Sequence, residues 1–132
     1  MTSTLKSMTH TSEVLFLDST DLSVPEAMGA ATALCYPSLF EGFGIPILEA
    51  FAAEVPVITS NVSSMPEVAG EAALLVDPKS TDDIARAMSR LVTDPQLAKT
   101  LIEKGRSQKT LFSWDNSAGL IYEALTQVAQ KK

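Results

Sequence analysis

An α/β fold built on a parallel sheet is what this sequence predicts, and three observations carry it. Short apolar runs rich in β-branched residues alternate with amphipathic helical patterns, which is the signature of strand-helix-strand units. A glycine-rich turn joins one such run to a helix that opens on proline. From Thr81 onward the pattern becomes wholly helical, with no internal repeat and no low-complexity linker, so one domain suffices.

The elements follow in order. Met1 to Thr11 is rich in Thr and Ser, and residues 1–12 read as a disordered, frayed tail. Val14 to Leu17, Thr32 to Tyr36, Val55 to Thr59 and Ala73 to Val76 are the four expected strands. Pro25 to Ala31 reads as a short helix with proline at its start, where the missing N–H costs nothing. Ile45 to Ala53 is the helix after the glycine turn. Ser64 and Glu67 have capping-box spacing around Pro66, which predicts a short helical turn. Ile84, Met88, Leu91 and Val92 repeat at helical spacing and are expected to form one buried stripe. Asp94-Pro95 ends that helix and starts the next, with Leu97, Leu101 and Ile102 on its apolar side. The last helix is expected from Ser113 as N-cap through Ile121, Ala124, Leu125 and Val128 to Lys131-Lys132, with Trp114 as a packing anchor and Asp115 as a first-turn charge.

Composition excludes several function classes. With 132 residues the chain can bury roughly two thirds of its unfolded surface in one core. Apolar residues make up 45% and charged residues 20%, so neither disorder nor a fibrous class is indicated. The net charge of −6 argues against sequence-independent nucleic-acid binding, which needs clustered Lys and Arg. No apolar run reaches the roughly 20 residues of a membrane helix, and the N-terminus lacks the apolar core of a secretory signal. Cys35 is the single cysteine, so it forms no intrachain disulfide and fits a reducing, cytoplasmic setting as a small buried hydrophobe. With one isolated cysteine and one histidine, His10, a zinc site or a Ser-His-Asp triad has no parts to be built from.

The stretch Glu41 to Glu49, E-G-F-G-I-P-I-L-E, holds the candidate site. It sets two carboxylates eight residues apart around a turn with two glycines. Pro46 suits a first helical turn, and the N-terminus of that helix favours an anion. By spacing alone the stretch reads as an ordinary strand-to-helix turn or as a grip for a polar, phosphorylated ligand.

Its neighbours point to the second. P-S-L-F-E-G-F-G-I-P-I-L-E-A, then V-P-V-I-T-S-N, then S-S-M-P-E-V-A-G-E-A-A-L-L-V-D-P, with F-S-W-D at Phe112 to Asp115, resembles in order and spacing the C-terminal part of the group 1 glycosyltransferases. These are retaining family 4 enzymes of GT-B fold, and the similarity covers about residues 14 to 128. It implies a partial Rossmann-like, GT-B C-terminal domain whose sheet of about four strands is flanked by helices. It also implies that Glu41, the candidate catalytic residue, contacts hydroxyls of the transferred sugar near the anomeric centre. Glu49 would take the ribose hydroxyls of the nucleotide, and the backbone at Gly42, Phe43, Gly44 and Ile45 would serve sugar and phosphate. Glu67 also matches a family position, although capping its own helix is its simpler role. A nucleotide diphosphate sugar is the implied donor, a hexose the group transferred with retention, and no metal or other cofactor is expected.

The resemblance reaches only the second half of the second domain of such an enzyme. The acceptor-binding domain lies outside it, as do two strands of the nucleotide domain whose following segments carry the Arg and Lys that neutralise the leaving diphosphate. A helix dipole of roughly 0.5 charge would bear that charge alone, and losing one preorganised donor costs about 3 kcal/mol of transition-state stabilisation. This chain by itself is therefore expected to lack transfer activity, and the alternative is a non-catalytic nucleotide-sugar-binding module, or a subunit needing a partner chain. In the doubly wound order the two missing strands lie between Val14 to Leu17 and Thr32 to Tyr36. Closure of that gap predicts either that Val14 to Leu17 moves in beside Thr32 to Tyr36 or that two chains pair through the open edge. An acid pair for glycoside hydrolysis would need both carboxylates on one glycosidic bond, whereas the resemblance aims Glu41 and Glu49 at opposite ends of the donor.

Overall fold

The computed structural model describes residues 7–17 and 23–130. Its helices and strands run in the order α1 (Val24–Ala30), β1 (Leu34–Tyr36), α2 (Ile45–Ala52), β2 (Val57–Ser60), α3 (Met65–Ala69), β3 (Ala73–Val76), α4 (Thr81–Thr93), α5 (Pro95–Gln108) and α6 (Trp114–Gln130). Short 3₁₀ turns occupy Thr11–Glu13 and Lys109–Leu111. The sheet has the order β1-β2-β3, all parallel, with Cys35 opposite Ile58 and Thr59 opposite Leu75. Each pair of strands is bridged by a helix, as parallel pairing requires.

Strand β2 lies in the middle and all four of its residues are buried. Its alternation divides the core in two. Val57 belongs to a cluster with Ile47, Phe51, Met65 and Val68 from α2 and α3, whereas Ile58 joins Val76, Ala87, Leu91 and Leu101 under α4 and α5. Helix α5 crosses α2 where Gly105 meets Phe51: a Cβ on Gly105 would lie 2.7 Å from the ring. The absent side chain makes that close approach possible.

Helix ends follow local chemistry. Glu26 accepts from the backbone N–H and the hydroxyl of Ser23 at the start of α1, at 3.0 and 2.6 Å. Ser80 accepts from the N–H of Asp83 at 3.2 Å. Asp94 ends α4 and caps α5 by accepting from the N–H of Leu97 at 2.9 Å. Ser113 caps α6 as expected, accepting from the N–H of Asn116 at 3.0 Å.

Several expectations need correction. The sheet has three strands, not four, because Val14 to Leu17 is irregular and exposed, with Leu15 82% accessible. Its apolar composition cannot make a strand without a neighbouring ladder to join, and no strand lies beside the outer edge of β1 among the described residues. Of the expected frayed tail and of the C-terminal Lys131-Lys132, residues 1–6 and 131–132 lie outside the described residues. Cys35 is exposed rather than buried; the main contacts of α4 with the sheet are to β3 and β2. The buried stripe of α4 runs through Ala87 and Leu91 with Ile84 partly covered, while Met88 and Val92 are 49% and 71% exposed. With Ala87 and Leu91 on the sheet side, helical periodicity turns Val92 to the outer face.

Helix α6 departs furthest. None of its described side chains is buried, and Trp114, the expected anchor, is 87% exposed. Trp114, Ala118, Ile121, Leu125 and Val128 recur at alternating four- and three-residue steps, an uncovered apolar seam.

The Phe51 contact gives the fold its sharpest test. Phe51→Ala should lower unfolding stability by about 3–5 kcal/mol through the cavity it leaves between α2 and α5. Urea titration followed by circular dichroism measures it, and a loss under about 1 kcal/mol would mean that α5 does not pack there.

Candidate functional site

The candidate residues gather at the C-terminal ends of β1 and β2, where open parallel sheets bind ligands. After Tyr36 the chain leaves the sheet, runs through Pro37, Ser38 and the solvent-facing Leu39 and Phe40, and reaches Glu41 before the turn into α2. This loop has no ladder to satisfy its carbonyls. The segment after β2 does that work with side chains.

Thr59 donates to the carbonyl of Tyr36 at 2.9 Å and Ser60 to that of Ser38 at 2.6 Å. Ser63 donates to the carbonyl of Glu41 at 2.8 Å and accepts from the N–H of the same residue at 3.3 Å. Ser64 donates to the carbonyls of Glu41 and Phe43, at 3.1 and 2.9 Å. Four hydroxyls thus hold the loop from Tyr36 to Phe43. Ser63 adopts a left-handed backbone with φ 59°, uncommon for a residue with a Cβ. Its bracket around the Glu41 peptide is a reason for that conformation.

Glu41 itself is half-buried. Its Oε1 accepts from the phenol of Tyr36 at 2.5 Å and from the hydroxyl of Ser38 at 3.0 Å. These bonds, that of Tyr36 foremost, hold the carboxyl below its ordinary range, so it is an anion at neutral pH. The bond to Glu41 in turn raises the phenol of Tyr36, which stays protonated and remains a donor. Oε2 has no protein donor among the described residues.

The two glycines differ. Gly44 caps α2 with φ 107°, a left-handed conformation, and a Cβ there would lie 2.9 Å from Cε of Met65. Gly42 has open space around it and no such backbone demand. The start of α2 also offers fewer free donors than its sequence suggests. Pro46 has no N–H, and that of Ile47 is turned back to the carbonyl of Gly44 at 3.0 Å, which leaves Ile45 in the first turn. Phe43 and Ile45 are themselves exposed at 43% and 56%. Glu49 stands exposed in the second turn of α2.

Beside the turn lies a cleft of about 640 Å³ walled by Phe43, Ile45, Leu48, Phe112, Trp114 and Leu120, with Ser113, Asn116 and Ser117 as polar groups. Phe43 meets Phe112 edge-to-face with centroids 5.6 Å apart. The basic side chains with ion partners lie outside the turn: Arg86 on Asp83, Lys104 on Glu71 and Arg106 on Glu54. Sequence reasoning missed Tyr36, Ser38 and Ser63 as members of the site and misassigned Ser64. The expected capping box does not form, because the Ser64 hydroxyl turns to the loop instead of the backbone of α3 and Glu67 points to solvent. Four hydroxyl residues within T-S-N-V-S-S were the available signal.

Comparison with known proteins identifies the family. The sequence model of the family described as "Glycosyl transferases group 1" matches residues 6–108. The O-antigen chain mannosyltransferase B of Escherichia coli is 42% identical over 96 residues, which is 73% of this chain and 25% of that protein. The MMP alpha-(1->4)-mannosyltransferase of Mycolicibacterium hassiacum is 33% identical over 133 aligned positions, 95% of this chain and 31% of the relative. Among solved structures, sucrose-phosphate synthase from Thermosynechococcus elongatus, of GT-B fold, superposes with a TM-score of 0.71 at 32% identity, covering 80% of this chain and 27% of that one. The chain spans about a quarter to a third of the length of these relatives.

The glycines supply a paired test of the turn. Gly44→Ala should destabilise the fold by about 1–3 kcal/mol through left-handed strain and the Met65 contact, whereas Gly42→Ala should stay within about 0.5 kcal/mol of the parent. Equal effects in thermal melts would contradict the assigned turn.

Proposed function

The chain belongs to the group 1 glycosyltransferases, and on that premise we propose that it forms the donor-binding part of a retaining hexosyltransferase that uses a nucleotide diphosphate sugar. The observation that carries this reading is Glu41, held as a carboxylate at the strand ends with Oε2 unpartnered among the described residues. A carboxylate there accepts strong bonds from sugar hydroxyls, and close to the anomeric centre it would stabilise positive charge developing on the sugar ring. We assign the ribose hydroxyls to Glu49, and the diphosphate to the backbone from Gly42 to Ile45 and the positive end of α2. Because two of the relatives are mannosyltransferases by name, a mannose donor is the first to try.

No metal enters the proposal. Hard cations take several carboxylate and carbonyl oxygens, whereas Oε1 of Glu41 is already engaged by two hydroxyl protons and the nearby carbonyls by four more hydroxyls. A carbohydrate-building role in the cytoplasm fits the free thiol of Cys35. No helix among the described residues is long and apolar enough to cross a membrane.

A second reading is favoured by the charges. Arg86, Lys104 and Arg106 are each committed to a carboxylate outside the turn, and among the described residues no Lys or Arg is ion-paired to the turn, so this reading takes the cations for the leaving diphosphate from another segment or subunit. The open edge of β1 is a place for such a chain, or for a second copy, to add a strand. In this reading the chain binds donor and leaves transfer to the assembly.

Titration calorimetry with GDP-, UDP- and ADP-hexoses separates the possibilities. We expect one of them to bind with Kd no weaker than about 1 mM, and Glu49→Ala to weaken it about tenfold. No heat with any of the three would end both readings. Affinity should hold from neutral pH downward and fall as Glu41 protonates, beneath the ordinary carboxylate range. A radiolabelled transfer assay on the chain alone should show no product; turnover would overturn the second reading in favour of the first.

A further inference from the structure

We propose that Tyr36 is a positioning residue for Glu41, which with Ser38 occupies Oε1 and so presents Oε2 alone to the ligand. The inference rests on the donor reading for the identity of that ligand and on geometry for the rest. Two hydroxyls converge on one carboxylate oxygen, at 2.5 and 3.0 Å, from a strand end and from the loop that follows it. Both must donate, since an ionised carboxylate only accepts. They fix the rotamer of Glu41 and leave its second oxygen as an acceptor.

The arrangement is held from behind. The backbone of Tyr36 is tied by Thr59, that of Ser38 by Ser60, and that of Glu41 by Ser63 and Ser64. Donor and acceptor therefore stand on one fixed frame, and the Tyr36 ring packs against the cluster around Ile47 and Met65. Among the described residues no charged side chain bears on Glu41; Tyr36 is the titratable group that does, with the hydroxyl of Ser38 beside it.

One consequence is chemical. A carboxyl kept ionised by two donors is a poor proton donor at neutral pH, so Glu41 takes a hydroxyl hydrogen bond and holds negative charge but does not serve as a general acid. Another concerns selectivity. With a single oxygen free, the subsite should require a hydroxyl on the donor sugar at the facing position and discriminate against its deoxy analogue, whose binding would leave Oε2 unpaired.

Tyr36→Phe tests this directly, because it keeps the ring and removes one proton donor. In the ligand-free chain, carboxyl ¹³C shifts should show the Glu41 titration midpoint moving up by about half a unit or more in Tyr36→Phe, with the melting temperature within about 3 °C of the parent. Ser38→Ala should move it the same way by less. Calorimetry with the nucleotide diphosphate hexose that the parent binds should show affinity down about 3- to 10-fold in Tyr36→Phe. An unmoved Glu41 titration, or unchanged donor affinity in a parent that binds, overturns the assignment. A moved titration with no donor heat even in the parent upholds the positioning role and removes the donor reading instead.

Discussion

Everything at the candidate site depends on hydroxyls of the segment from Thr59 to Ser64 reaching across to the main chain from Tyr36 to Phe43. Beyond the last residue of β1 there is no ladder, yet the loop runs close to the sheet and its carbonyls need partners. Each such bond is worth about 1 kcal/mol net, so the set is comparable to a noticeable share of a small domain's stability. Geometry matters more than the sum. Without these bonds the loop would be an ordinary flexible connection, and neither the Glu41 side chain nor the left-handed Gly44 that opens α2 would have a fixed place.

This interlock divides the labour between neighbouring segments. The stretch that holds the candidate site, Glu41 to Glu49, contributes few of the bonds that hold it, while Thr59, Ser60, Ser63 and Ser64 do the holding. Ser63 shows the strain in the arrangement: its backbone takes a conformation that glycine would adopt more readily, and its hydroxyl gains both ends of the Glu41 peptide in return.

What could be read in the sequence was what local rules govern. The bounds of β3 match the apolar run from Ala73 to Val76, α2 begins where Pro46 and the glycine turn require, and Asp94-Pro95 marks the break between two helices. Glu41 and the glycine turn were legible because motif order and spacing are properties of the chain itself. What could not be read depends on neighbours distant in sequence. Val14 to Leu17 has strand composition but no ladder to join; Cys35 lies on the outer strand of the sheet and is exposed; Trp114 looks like an anchor and meets solvent. Ser64 satisfies the capping-box spacing and still turns away, because carbonyls more than twenty residues back in the chain compete for its hydroxyl. No local pattern encodes that competition.

The seam along α6 carries a thermodynamic consequence. Its indole, its branched aliphatic side chains and its small residues between them stand in water along 17 residues of helix. A helix draws most of its stability from packing an apolar face, and this one packs none of its side chains into the core. Covering it withdraws apolar surface from solvent, and such a step is marked by a negative heat-capacity change whatever the sign of its enthalpy at one temperature. Any surface that covered the seam would couple the folding of this helix to association, and its melting would then track the concentration of that surface rather than the strength of the sheet.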